Sequence, residues 1–321
     1  MLPFCPMDGP KLRTVTRTQG ANEALKNGAV RPHGFTFDFE EVPVLVHAFR
    51  RMVRGLEFDV CEMALTTYLV AKEHGARFTA LPAFLVRGFH HGAILYDPDS
   101  GIRGPKDLEG RKVGVNRGYT VTTGVWARAV LSQEHGVDLD RVTWVLSGDE
   151  HVTAYQPPAN VVPMPDGGSL EEMVLSGELA AVIGLSAHSA RLKPLIPDPE
   201  RAGLAALAGR GSYPINHLVV VRDELLQEHP RLGAEIFAAF ARAKQEYVQR
   251  LREGAVENPT AADLMHLRVM ELTGKDPLPY GLPPNRAVLE ELMRHAVEQR
   301  ILGRPLPLEE LFAEGTRTLT V

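Results

Sequence analysis

From Leu12 to Val221 the chain alternates short apolar runs with segments whose apolar residues recur at helical spacing. That alternation restricts the fold more than any other feature. Helices inserted between short buried strands make βαβ units, so an α/β protein with mainly parallel pairing is expected. Leu12–Thr16, Phe35–Phe39, Phe58–Met63, Phe78–Val86, Ala93–Tyr96, a run ending at Val115, Val142–Leu146, Ala180–Gly184 and the β-branched His217–Val221 read as strands. Between them, Pro43–Val53 presents Val44, Leu45, Ala48, Phe49 and Met52 on one helical face, and Gly55 stands just past its end. Asp223 opens a helix after the last strand, and Leu232–Arg252, Ala261–Leu272 and Arg286–Arg300 continue helically. Asp149–Gly168 holds four prolines and no periodicity, which predicts a lid or a surface excursion.

The chain has 321 residues, room for about two domains of ~150 residues each. With 44% hydrophobic residues it can bury a sizeable core. A net charge of −5 argues against a nucleic-acid-binding surface. No run of about 18 apolar residues occurs, so no membrane helix is expected. Met1–Val15 lacks a basic region followed by an apolar one, and the expected location is cytoplasmic. Two cysteines, Cys5 and Cys61, allow at most one bridge, and Cys61 reads first as a small buried hydrophobe. No HExxH or CxxC spacing occurs, so a metal site is not expected.

Ligands of open α/β sheets sit at the carboxyl ends of strands. The polar residues there are Arg17, Thr18, Gln19 and Asn22; Glu62, Thr66 and Thr67; Arg87, His90 and His91; and Tyr119, Thr120, Thr122 and Thr123. Tyr213, Asn216 and His217 stand where the chain enters a buried strand, so they are either satisfied locally or aimed at a cleft. The threonines open two helices, whose free N–H groups and dipoles favour an anion, although an ordinary N-cap explains one of them.

The segments FDVCEMALTTYLVA, LVRGFHHGAILY, GIRGPKDLEGRKVGV, GSYPINHLVVVRDELLQEHP and DPLPYGLPPNR resemble the 4,5-dihydroxyphthalate decarboxylase family. The similarity runs from about Phe35 to Phe312, and the YPINH and DPLPYGLPPNR stretches are its most specific parts. The resemblance implies a type-2 periplasmic-binding-protein-like fold, with two lobes around a ligand cleft. Residues 1–114 and 214–321 would form one lobe and 115–213 the other, with crossings near Val115 and Tyr213. The family carries a Tyr-Asp-His-Thr-like cluster after the first strand, where this chain has Thr16–Asn22.

The resemblance also implies decarboxylation of an aromatic acid without a cofactor. That chemistry needs a grip on the retained carboxylate and a general acid for the ring carbon that loses CO2. His217 is the first candidate acid, with His91 or His90 as alternatives and a half-buried structural histidine as the bland reading. Glu62 would orient a histidine or bond a ligand hydroxyl, or else pair with an arginine inside its own lobe. Arg17 and Arg87 are candidate carboxylate clamps, and solvation is the bland alternative for each. Thr18, Gln19, Asn22, Thr66, Thr67, Tyr119, Thr120, Thr122, Thr123 and Asn216 would line the site, and Tyr280 would reach its rim. The expected partner is a small aromatic carboxylate, with homo-oligomerisation left open. A solute-binding protein that captures a carboxylate without chemistry is the competing reading, because fold does not imply function.

Overall fold

The computed structural model describes residues 9–321; Cys5, and with it any bridge to Cys61, lies outside them. The chain first lays down β1 (Lys11–Val15), β2 (Thr36–Phe39), β3 (Val60–Ala64) and β4 (Phe78–Arg87). It then crosses to a second sheet: β5 (Ile94–Tyr96), β6 (Lys112–Val115), β7 (Thr143–Leu146), β8 (Val161–Pro163), β9 (Ala181–Ile183) and β10 (Lys193–Pro194). It returns to the first sheet as β11 (Ile215–Arg222). The strand orders are β2-β1-β3-β11-β4 and β10-β5-β9-β6-β7-β8.

Leu218–Val221 is wholly buried, as a central strand requires, and β11 runs antiparallel to both β3 and β4. Its start therefore lies at their carboxyl ends, with His217 opposite Ala64 and Ile215 opposite Arg87. A polar cluster at the beginning of this strand thus reaches the edge where parallel sheets bind ligands. The β5–β9 and β5–β10 pairs are antiparallel too, so the expectation of mainly parallel pairing is corrected to two mixed sheets.

One face of the first sheet, with Leu12, Val60, Leu81, Val219 and Val221, packs on Ile236, Phe237 and Phe240 of the helix Leu232–Arg252. On the other face, Val15, Cys61, Met63, Leu218 and Val220 join a core with Phe49, Met52 and Leu69 from the helices Leu45–Gly55 and Leu65–Glu73. Burial pushes the Cys61 thiol well up, as a packing residue and not a nucleophile would have it.

Strand pairing moves the first crossing. It was expected near Val115, yet Ile94–Tyr96 and Lys112–Val115 both belong to the second sheet, so the chain leaves the first sheet between Arg87 and Ile94. A three-residue strand held by antiparallel pairing to β9 carries no local mark of which sheet it joins. The helix Pro199–Arg210 also escapes periodicity, because it buries only Gly203 and Ala206. Gly203 is fixed by close approach: a Cβ there would come within 2.4 Å of the Phe89 ring.

Candidate active site

Glu62 points from the middle of β3 with no exposed surface. One carboxylate oxygen accepts from His217 Nδ1 at 2.6 Å, and the other accepts the Arg17 backbone N–H at 2.9 Å. A buried carboxylate satisfied by two donors is a fixed element. It holds a proton on Nδ1 and so turns Nε2 of His217 outward. The ring is steadied by the Phe49 side chain, edge to face at 5.3 Å.

His217 opens onto a cavity of about 260 Å³ between the two sheets, large enough for a single substituted ring. Arg17, Phe49, Thr67, Asn216 and His217 line it from the first sheet and its helices. Arg117, Thr122, Thr123 and His151 line it from the second. Two helix starts converge there. The helices Leu65–Glu73 and Thr122–His135 both begin without a side-chain cap, so their positive ends stay available to an anion. Thr66 ties them together: its N–H donates to Thr122 Oγ1 at 3.2 Å, and its hydroxyl donates to Thr120 O at 2.6 Å.

The charges around the cavity favour an anion. Every nearby carboxylate is engaged: Glu62 as above, Asp149 by Arg50 at 2.5 Å and Arg54 at 2.9 Å, and Glu150 by the N–H of Tyr119 and the Thr120 hydroxyl. Gly118 makes room for that last contact, since a Cβ would stand 2.6 Å from a Glu150 oxygen. By contrast, the guanidinium groups of Arg17 and Arg117 have no hydrogen bond or ion pair to any described residue. Burial, and then the charge of Arg50, lowers the Arg117 pKa. Arg117 also sits at φ 75°, a left-handed conformation unusual for a side chain of this size. A wider hollow of about 580 Å³ elsewhere is bordered by Asp223, Glu310 and Glu314 against Arg317, a poor setting for a carboxylate.

Six of the residues expected at the site line the cavity: Arg17, Thr67, Thr122, Thr123, Asn216 and His217. The others are placed elsewhere. Arg87 turns away, its guanidinium donating to Asn285 Oδ1 and lying over the Tyr213 ring at 5.4 Å; burial lowers its pKa to about 10. Tyr280 is wholly buried beside Lys244 instead of at a rim, because its backbone pairs with Val321. His91 sits on the crossing segment and bonds Glu134 at 3.1 Å, and its neighbour His90 bonds Asn216 Oδ1 at 3.0 Å. Burial pushes the His90 pKa down to about 4. Thr66, Tyr119 and Thr120 form the wall behind the cavity; Tyr119 is covered by the Arg128 guanidinium at 3.8 Å. Asn22 closes the loop after β1 through Arg17 O at 2.9 Å and the Gln19 N–H at 3.0 Å, while Thr18 accepts from Lys26 at 2.9 Å.

Two polar lining residues, Arg117 and His151, are not among those expected from the sequence. Arg117 is the second residue after β6, in Asn116-Arg117-Gly118, where the same end-of-strand rule finds it. His151 lies in the long connection after β7, which periodicity cannot interpret.

Residues 55–163 match the family described as NMT1/THI5 like. A 4,5-dihydroxyphthalate decarboxylase of Comamonas testosteroni is 30% identical over 281 residues, spanning 82% of this chain and 84% of the relative. A Pseudomonas putida protein of the same name is 37% identical over 149 residues, 44% of this chain and 57% of the relative. Among solved structures, a variant of the desulfurization enzyme DszB in complex with biphenyl-2-sulfinic acid is similar with a TM-score of 0.56 at 15% identity, covering 95% of this chain and 96% of that one. The periplasmic aliphatic sulphonate binding protein SsuA of Escherichia coli follows at 0.51 and 12% identity, covering 97% and 100%. These likenesses show the two-lobed binding-protein fold. With the Comamonas relative matched over most of both chains, the chain belongs to the 4,5-dihydroxyphthalate decarboxylase family and is a carboxy-lyase.

Proposed function

We propose that the protein decarboxylates a dihydroxyphthalate-like aromatic acid held in the cavity between the sheets. The observation that carries this reading is the Glu62–His217 pair opening onto a cavity with two arginines that lack carboxylate partners. Arg17 and Arg117 hold carboxylates by charge-assisted hydrogen bonds, one from each side of the cavity. Doubly protonated His217 donates its Nε2 proton to the ring carbon that bears the reacting carboxylate. The bond from that carbon to the carboxylate breaks, its electron pair restores the aromatic ring, and CO2 leaves. A solvent proton recharges the histidine, so each turnover consumes one proton. A ring hydroxyl para to the reacting carbon shares the positive charge that builds up on protonation. A cytoplasmic location belongs to the same proposal; no helix among the described residues is long and apolar enough to cross a membrane.

The test is to incubate the purified protein with 4,5-dihydroxyphthalate, follow CO2 release, and measure binding of the same acid by calorimetry. His217→Gln should keep the affinity and lose ~10²–10⁴-fold in kcat, because glutamine can hydrogen-bond but cannot deliver a proton. Tight binding with no CO2 release by the unaltered protein would instead make it a carboxylate-binding protein, a role the same arginine pair suits.

A further inference from the structure

We propose that His151 recognises a hydroxyl group on the substrate ring and so selects hydroxylated over plain aromatic dicarboxylates. This rests on the decarboxylase reading above and assigns a part of the substrate that neither arginine nor His217 accounts for.

His151 comes from the connection between β7 and β8 and lines the cavity from the second sheet, whereas His217 lines it from the first. Its ring is 3% exposed, and Nδ1 is 3.2 Å from the Thr67 hydroxyl. Nε2 is buried and has no hydrogen-bond partner among the described residues. A buried polar nitrogen left without a partner is costly, and at the wall of a cavity the group that satisfies it comes from the ligand. The two histidines flank one aromatic ring: the Phe49 centroid lies 6.1 Å from that of His151 and 5.3 Å from that of His217.

The charge state selects the kind of group. Burial first, then the charges of Arg50, Arg117 and Arg54, hold the His151 pKa down at about 4, so the ring is neutral near pH 7. A neutral imidazole has one N–H and one lone pair, and Thr67 can satisfy either at Nδ1. Whichever remains at Nε2, a phenolic hydroxyl matches it, since a hydroxyl both donates and accepts. Carboxylates are better served by Arg17 and Arg117, where charge assists the bond. The backbone C=O of His151 accepts from Arg54 Nε at 3.2 Å and that of Glu150 accepts from Arg54 Nη2 at 2.7 Å, which fixes the segment against the helix Leu45–Gly55.

The experiment is calorimetric binding of 4,5-dihydroxyphthalate and of phthalate, which lacks both hydroxyls, to the unaltered protein and to His151→Leu, His151→Gln and Thr67→Val. The unaltered protein should prefer the hydroxylated acid about tenfold to a hundredfold, the scale of a buried polar group left unpaired. His151→Leu should erase the preference by weakening the hydroxylated acid alone, glutamine should restore part of it, and Thr67→Val should lie between. An unchanged preference in folded His151→Leu, or equal weakening of both acids, overturns the proposal. If the leucine variant does not fold, the glutamine variant reads the same ratio. Turnover by the unaltered protein together with an unchanged ratio sinks this inference alone; absence of both binding and turnover removes the decarboxylase reading and this inference with it.

Discussion

Replacing Glu62 by glutamine tests the centre of the proposed mechanism. The native carboxylate accepts from His217 Nδ1 at 2.6 Å and from the Arg17 N–H at 2.9 Å, and it is 0% exposed, so no bulk water can replace a lost bond. Glutamine offers one carbonyl oxygen and one NH2 group to two donors. If its oxygen faces Arg17, the NH2 meets Nδ1, and the imidazole must move its proton to Nε2. If its oxygen faces His217, two N–H donors collide in the interior. The first arrangement is cheaper, because a ring can change tautomer and a backbone amide cannot. It also leaves His217 in the wrong form: Nδ1 then carries the lone pair, and the negative charge beside the ring is gone. A charge-assisted bond of about 1.5–3 kcal/mol is lost. For a protein of this size that corresponds to a melting point lower by several degrees.

The rate should fall further than stability suggests. Breaking a carboxylate–histidine pair by an amide costs ~10²–10⁴ in kcat where the histidine transfers the proton. Glu62 is absent from the cavity lining, so KM should stay within about threefold. The assay is initial-rate CO2 release across substrate concentration, with a thermal melt on the same preparation. Glu62→Asp, which keeps the charge but shortens the reach, should fall between. A folded Glu62→Gln protein with kcat within about threefold of the original would refute the reasoning, and Glu62 would then serve stability alone.

Three more outcomes follow from the geometry. Arg117→Gly should melt higher, by about 1–2 kcal/mol, because it relieves a left-handed backbone at φ 75°, yet bind a dicarboxylate at least tenfold more weakly; calorimetry showing unchanged affinity would remove Arg117 from the clamp. His90, His151 and His266 have pKa values pushed down to about 4, burial being the largest cause in each, against about 6.5 in an unfolded chain. Between those values the unfolded chain takes up protons that the fold refuses, so stability present above pH 6.5 is lost as pH falls toward 4. The loss is up to about 3 kcal/mol per histidine, and a urea midpoint unchanged from pH 7 to 4.5 would contradict it. Asp149→Ala removes the ion pairs from Arg50 and Arg54 that join the helix Leu45–Gly55 to the connection after β7; without ligand the protein should scatter X-rays as a larger particle, and identical curves would show that these exposed pairs do not hold it closed.

The sequence revealed those parts of the fold that depend on local periodicity. The strand from Phe78, the helix Leu232–Arg252 and the buried run at Val219–Val221 all carry a full apolar face. It hid what depends on partners distant in the chain. The membership of Ile94–Tyr96 is decided by β9, nearly ninety residues later in the chain. Arg87 meets the positional rule for a ligand contact, but Asn285, from a helix 198 residues away in the chain, takes its guanidinium. Tyr280 looks like a loop residue, and only the pairing of the chain end beside it shows that it is interior. His217 and Glu62 were each legible as candidates, since one begins and the other sits within a buried strand. Their contact follows from the antiparallel register that sets Val219 against Glu62, which no single segment encodes.

The segment after β1 fits into the same arrangement. Thr16–Asn22 contributes a backbone N–H to Glu62 and a guanidinium to the cavity. The loop is closed by Asn22, so Arg17 is presented from a fixed turn and not a free end. The facing arginine, Arg117, is carried by the second sheet and points into the same space. An acid with two carboxylates can engage both arginines at once and would then bridge the two sheets, whereas a monoacid satisfies one and leaves the other without a carboxylate. On the proposed reading, preference for a diacid and closing of the cavity would be a single equilibrium. Each carboxylate bound across the gap adds its affinity only to the closed form, and so shifts the population toward it.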